Sequence, residues 1–308
     1  MTVSGHSVQA PASVIMVRPH HFVLNPETGA DNAFQSGSRL RAAELSRAAL
    51  AEFDAAVERL SKAGVRVHVF DDRGTDTPDS VFPNNWFSTH HGGRVAIYPM
   101  YAPSRRRERR ADVIELLKRD YRVQEVIDYS GLEYDGLFLE GTGAMVFDHA
   151  ERVAYVASSA RADPILLERF CTAFGYEPMV FPTADPDGRP IYHTNVLLSI
   201  GTDMAIVCLD AITEPLRRVE VENRLADSGH ALVPLSWSQV GEFAGNAIEL
   251  SGRHRILVLS ERAARALTPA QVATIEQSAE LVTLQLPTIE LAGGSARCMI
   301  AGIHLTHR

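Results

Sequence analysis

Four times along this 308-residue sequence, two short apolar runs are followed by a run of helical periodicity and then by a third apolar run. The first such unit reads as strands over 86–89 and 95–98 around Gly92-Gly93, a helix over 105–120 and a strand over 123–126. The second places strands at 143–147 and 153–156, a helix at 164–174 and a strand at 178–181. The third places strands at 195–199 and 205–208, a helix at 215–228 and a strand at 231–233, and the fourth uses 247–250, 256–259, 269–277 and 281–284. A fifth copy is divided between the two ends of the chain. Residues 13–18 read as a strand buried on both faces, and 40–60 as a helix with Leu45, Ala49, Phe53, Val57 and Leu60 on one side and Gly64 at its C-cap. Residues 65–70 alternate like a strand, and the missing first strand of this copy is supplied by 298–305. A repeat of this length belongs to radial or solenoid architectures, and closing five units into a ring leaves no unpaired sheet edge. The expectation is an α/β ring of strand-strand-helix-strand units rather than an α/β sheet with accidental spacing.

The residues that open the first strand of each unit are Asn85, Glu140, His193, Asn246 and Cys298, about one every 53 positions. In a closed ring these positions converge on one end of the axis. A thiol, an imidazole, a carboxylate and two amides in one pocket are not a set that core packing requires. Cys298 follows Gly293-Gly294-Ser295-Ala296-Arg297, a loop whose small residues let backbone pass close to a ligand, and the neighbouring Arg297 cation favours a thiolate. Cys171 and Cys208 lie inside apolar runs and read as core residues. His193 on an apolar strand would by itself read as a core histidine, and its place in the five-membered series reverses that.

Composition removes several function classes. A formal charge of −8 does not suit a nucleic-acid or anionic-membrane surface, so a small-molecule ligand is expected. Three cysteines without C-x-x-C spacing give neither a disulfide framework nor a zinc knuckle, and no metal or organic cofactor is implied. Without a basic-then-apolar leader or a bilayer-length apolar run, the cytoplasm is the expected compartment. One domain spanning 1–308 is expected, with about the first dozen residues unstructured. The adjacent pairs His20-His21 and His90-His91 lack a third ligand and read as structural or solvent-facing. Of the five arginines between Arg105 and Arg110, one or two are expected to face a ligand; Gly143 and Gly245 read as turns, and Trp86 as packing.

Particular segments carry a resemblance. Leu139-Glu140-Gly141-Thr142-Gly143, Tyr192-His193-Thr194-Asn195-Val196-Leu197 and Gly293-Gly294-Ser295-Ala296-Arg297-Cys298 resemble, in order and spacing, the acidic, histidine and nucleophile segments of the guanidino-group-modifying enzymes. These enzymes have the pentein fold, a five-bladed pseudo-fivefold α/β propeller, and the resemblance covers nearly the whole chain. Phe82-Pro83-Asn84-Asn85-Trp86 falls where deiminases carry F-x-R-D, and Pro103-Ser104-Arg105-Arg106-Arg107-Glu108 resembles the family's P-S-R-R-x-E. The elements Met16 to Pro19, Asn25 to Thr28 and Asn32 to Gln35 are similar to the N-terminal pattern of the citrulline-utilising hydrolases.

The resemblance implies Cys298 as nucleophile, His193 as general acid and base, and Glu140 as the group orienting them. Arg105 or Arg106, with Arg161, would clamp the substrate's α-carboxylate. Asn32 and Gln35 lie in a loop that would bind the amino acid as a lid. Where arginine deiminases hold a guanidinium with aspartates, this chain has Asn85 and Asn195, and an amide both donates and accepts, as a neutral ureido group requires. The expected reaction is hydrolysis of citrulline to ornithine, ammonia and carbon dioxide. The alternatives are an arginine or methylarginine deiminase or dimethylarginine hydrolase releasing citrulline, an amidinotransferase, and a non-catalytic pentein binding protein. Assembly into a homo-oligomer is left open.

Overall fold

The computed structural model describes residues 8–29, 32–38 and 40–308. Strands β1 (Ser13–Pro19) and β2 (Arg66–Asp72) come first and flank the helix Ala42–Lys62. Four complete blades follow. They are β3 (Phe87–His90), β4 (Arg94–Ile97) and β5 (Glu125–Asp128); β6 (Met145–Asp148), β7 (Val153–Ala157) and β8 (Glu177–Phe181); β9 (Leu198–Ile200), β10 (Met204–Val207) and β11 (Ala231–Pro234); and β12 (Ile248–Ser251), β13 (Arg255–Ser260) and β14 (Glu280–Leu284). The chain ends with β15 (Ala301–Gly302), which pairs with β1 and completes the divided blade.

All five sheets share one pairing scheme. The first strand runs antiparallel to the second, and the second parallel to the third. In the divided blade β15 takes the first place, with Val14 opposite Gly302 and Ile15 opposite Ala301, while β1 and β2 are parallel. A parallel step needs a crossover, and in each blade a helix supplies it. The helix Pro164–Phe174 shows how locally this is encoded. Asp163 accepts from the N–H groups of Ile165 and Leu166, Pro164 fills the first turn, and Gly175 ends the helix at φ +70°. Its Leu166, Leu167, Phe170 and Phe174 then bury against the second blade. Middle strands such as β7 and β13 are buried throughout, which is why their sequences are apolar runs without alternation.

Several boundaries differ from the sequence expectation. The helix expected over 105–120 is two, Pro103–Arg106 and Ala111–Asp120. The break arises because Arg105 and Glu108 turn inward as a buried ion pair 2.9 Å apart, and Arg110 then takes an extended conformation. The strand expected over 298–305 is reduced to Ala301–Gly302, with Cys298 on a turn before it. The helices Trp237–Gly241 and Glu261–Ala266 were not anticipated. Of the dozen residues expected to be unstructured, 1–7 lie outside the described residues, whereas Gln9 and Ala10 are buried. Among the described residues no helix is long and apolar enough to cross a membrane.

Candidate active site

The five recurrent residues do not open their strands. Each stands on a tight turn just before one: Asn85 in the turn Pro83–Asn85, Glu140 before Gly141–Ala144, His193 before Thr194–Val196, and Asn246 on the turn leading into β12. Cys298 belongs to a turn closed by its N–H donating to Ser295 O at 3.0 Å. These turns bring Asn85, His193 and Cys298 into the lining of one cavity, together with Arg105, Arg161 and Asn32. Glu140, Asn195 and Asn246 form the layer behind it, all within 1% exposure.

Glu140 is bonded to three partners. Its Oε2 lies 2.8 Å from His193 Nε2 and accepts from Arg161 Nη1 at 3.1 Å, and its Oε1 accepts the Tyr101 N–H at 2.9 Å. Burial opposes the charge on this carboxyl, but Arg161, His193 and Arg105 outweigh it and hold the group well below the usual carboxylate range. Because the carboxylate only accepts, His193 Nε2 is the donor, which leaves Nδ1 with a free lone pair. Burial pushes the His193 pKa down, Glu140 pulls it up, and Arg161 and Arg105 oppose Glu140; the net direction is down. His193 is therefore neutral at neutral pH and can accept a proton at Nδ1.

Two amides face the sulfur. Asn195 Nδ2 is 3.4 Å and Asn246 Nδ2 3.3 Å from Cys298 Sγ, both within reach of N–H···S bonds that stabilise negative charge there. Asn246 also donates to Asn195 O at 3.1 Å and accepts the Arg297 N–H at 3.0 Å, so one side chain ties two site turns together. Asn195 Oδ1 is buried without a hydrogen-bond partner. Asn85 is turned the other way round: its Oδ1 accepts from Arg105 Nη1 at 2.8 Å, leaving Nδ2 as the atom it offers, with only a 3.5 Å contact to Glu140 O.

The arginines separate clearly. Arg161 lines the cavity with its guanidinium over the Tyr101 and Tyr192 rings, 5.5 and 5.3 Å from their centroids. Arg105 also lines it, but most of its N–H groups go to Glu108, Asn85 and Phe82 O. Arg106 does not reach the cavity. It bonds Met100 O and Tyr101 O and lies against Phe138, because the turn that points Arg105 inward points the next side chain out. Gln35 is likewise absent from the lining; its amide knits the loop to itself through Asn25 O and Thr28 Oγ1. Arg297 does not line the cavity that Cys298 lines; it donates to Ile300 O at 3.0 Å and lines a different one.

Sequence reading missed Asp79, Thr28, Phe82 and Tyr192, all in the lining. Asp79 Oδ2 accepts from Asn25 Nδ2 at 2.7 Å, while its Oδ1 is buried without a partner. Burial raises its pKa, with Arg105 opposing. The one signal in the sequence was an acid in the polar stretch before Phe82. Gly143 proves to be more than a turn: a Cβ there would stand 2.1 Å from Asn85 Nδ2 and 2.8 Å from His193 Nδ1. Gly245 is equally constrained, since a Cβ would meet Val196 O at 2.4 Å. The His90-His91 pair does have company, with the His149 and His304 rings within 6.5 Å, but among the described residues no group of three or more ligand-type side chains could hold a metal ion.

A family model of eukaryotic N,N-dimethylarginine dimethylhydrolases matches residues 18–305. No curated protein matches the sequence. Among solved structures, the substrate-bound N-terminal domain of ArgZ, an arginine dihydrolase from the ornithine-ammonia cycle in Cyanobacteria, has a TM-score of 0.72 at 16% identity, covering 94% of this chain and 97% of that one. AgrE with L-arginine gives 0.73 at 16% identity over 96% of this chain and 40% of AgrE. DDAH from Pseudomonas aeruginosa with citrulline gives 0.64 at 13% identity over 95% and 99%. Identities this low speak for the fold, and that fold is the five-bladed α/β propeller of the penteins.

Proposed function

The chain belongs to the N,N-dimethylarginine dimethylhydrolase family, hydrolases of non-peptide C–N bonds, and within it we propose a Cys298-dependent enzyme that hydrolyses the ureido group of citrulline. The observation that carries this reading is the pair of complementary amides near the nucleophile. Asn85 offers a donor, Nδ2, and Asn195 an unpartnered acceptor, Oδ1. A ureido group has a carbonyl for the first and an N–H for the second, whereas a guanidinium has only donors and would set one against Asn85 Nδ2. Glu140, the carboxylate behind His193, has both oxygens occupied by His193, Arg161 and Tyr101 and offers little to a cationic head group.

The proposed chemistry uses this chain's own groups. The Cys298 thiol passes its proton to His193, and the sulfur attacks the ureido carbon. Protonated His193 gives its proton to the departing nitrogen, breaking one C–N bond and leaving a carbamoylated sulfur. Water, deprotonated by His193, then breaks the C–S bond, and the resulting carbamate loses carbon dioxide. The balance is citrulline plus water giving ornithine, ammonia and carbon dioxide. Arg161, with the remaining N–H of Arg105, suits the α-carboxylate, and Asp79 Oδ1 suits the α-ammonium group. The cavity measures about 20 Å³, and Thr28 and Asn32 form part of its wall.

A second reading, arginine as the first substrate, is favoured by the retained charge on Glu140 and Asp79's place in the lining. Incubating the protein separately with citrulline, arginine and dimethylarginine, and measuring ornithine, citrulline and ammonia, separates the two. Ornithine from citrulline supports the proposal; citrulline accumulating from arginine or dimethylarginine, with no loss of added citrulline, rejects it.

A further inference from the structure

Further along the first strands of the blades, beyond the turns that carry the nucleophile, lies a second cavity of about 40 Å³. Its wall includes Phe147 and His149 from the second blade, Ser199 from the third, Glu249 from the fourth, His304 after β15, and Arg297. Gln9 closes it, donating to Phe147 O at 2.9 Å and Ile200 O at 3.0 Å and accepting the His149 N–H at 2.7 Å. The residue before the nucleophile thus faces one chamber while the nucleophile faces the other.

The charge in this rear chamber is unbalanced. The Arg297 guanidinium makes one hydrogen bond, to Ile300 O, and has no carboxylate partner among the described residues. Burial lowers its pKa to about 10, with Cys298 the only group pulling the other way. The His149 and His304 rings stack at 3.8 Å, and each is depressed first by burial and then by its histidine neighbours and Arg297, His304 to about 3. The acid on the wall, Glu249, does not answer Arg297. Its Oε2 is bonded to the Thr202 N–H at 2.7 Å and hydroxyl at 2.6 Å, its Oε1 is buried without a partner, and burial favours its uncharged form. A part-buried guanidinium without a carboxylate partner among the described residues, lining a polar cavity, suits an anion, and its fork matches two oxygens.

We propose that the rear chamber binds a small oxyanion, of bicarbonate or phosphate size, on Arg297 beside His304 and His149, and that occupancy alters the reactivity of Cys298. The physical link is short. The Arg297 N–H donates to Asn246 Oδ1 at 3.0 Å, and Asn246 Nδ2 donates to Cys298 Sγ at 3.3 Å. Drawing Arg297 toward an anion moves the backbone next to the nucleophile and the amide that holds its sulfur. The inference does not depend on which substrate the front chamber takes.

The test uses the full chain and needs no substrate. Calorimetric titrations with bicarbonate and with inorganic phosphate, against chloride at matched ionic strength, measure binding. Iodoacetamide labelling, read by mass spectrometry on the Cys298 peptide, measures reactivity; burial raises the Cys171 and Cys208 thiols to about 12 and 11, so neither competes. One-site binding of at least one oxyanion is expected, with no response to chloride, an at least about twofold change in labelling rate, and about tenfold weaker binding in Arg297→Met. His304→Gln, away from the nucleophile turn, should weaken binding while leaving labelling without anion unchanged, and it serves if Arg297→Met does not fold. Absence of saturable binding, equal binding by the variants that fold, or an unaltered labelling rate on saturation overturns the proposal.

Discussion

The two chambers share a wall, and the turn 296–299 sends Cys298 into one and Arg297 into the other, yet they treat charge in opposite ways. In the front chamber each buried ion has a partner: Glu140 with Arg161 and His193, Arg105 with Glu108. What it leaves open are single atoms, Asn195 Oδ1 and Asp79 Oδ1, buried without a hydrogen-bond partner. In the rear chamber the cation has no carboxylate partner among the described residues, and the acid is bonded to Thr202. A saturated network fixes geometry and preorganises chemistry, whereas an unsaturated one takes up a ligand.

The comparison is sharpened most by its two adjacent residues. Cys298→Ser should lower turnover by about 10⁴-fold or more and abolish any covalent adduct seen by intact mass. Arg297→Met should change the substrate-saturated rate by less than about tenfold, because its side chain is outside the chamber where bonds break. Comparable losses in the two variants would mean that the chambers are not chemically distinct.

Next in size is the acid-base pair. His193→Ala should cost about 10²- to 10⁴-fold in kcat. Glu140→Gln should lower both kcat and the thermal midpoint, since removing one partner of a buried pair costs about 3–5 kcal/mol. The pH dependence follows from the sign of the His193 shift. Its pKa is lowered on folding, so the neutral imidazole that accepts the thiol proton is present above that lowered value and lost as pH falls through it. The acid limb of kcat/KM should therefore have a midpoint below about 6.5, the ordinary imidazole value, and Glu140→Gln should move it lower still, as Glu140 raises the His193 pKa. A midpoint above 6.5 would argue against His193 as the acceptor.

A smaller change concerns specificity. Asn85→Asp replaces the donor Nδ2 with an acceptor and should shift the ratio of kcat/KM for citrulline over arginine by about 10- to 100-fold toward arginine. An unchanged ratio would remove Asn85 from head-group recognition. The smallest expected effect is at the rear closure. Gln9→Ala deletes three hydrogen bonds and should lower stability by about 1–3 kcal/mol in denaturant titration, with the KM for citrulline unchanged.

The ring was legible because each blade repeats its apolar runs and caps, and because the two ends of the chain together supply one missing copy. Cys298, His193 and Glu140 were legible for the same reason, since equivalent positions in a closed ring converge. Arg106 and Arg105 were not distinguishable in a run of basic residues, because one turn's geometry decides which side chain points inward. Asp79 left only the weak signal of an acid in a polar stretch, because it lies outside the repeating position and lines the cavity bonded to Asn25 and Thr28.

Period, capping and apolar runs are properties of neighbouring residues, and they set the blades, their order and the convergence of five turns on one axis. The direction each side chain takes depends on partners 20 to 191 positions away. Examples are Arg105 on Asn85, Glu140 on His193, and Gln9 across the ends of β6 and β9. Only the tertiary structure could show that Arg297, the cation expected to serve the nucleophile, lines a different cavity from Cys298. Long-range hydrogen bonds and desolvation decide orientation, and neither is written in local periodicity.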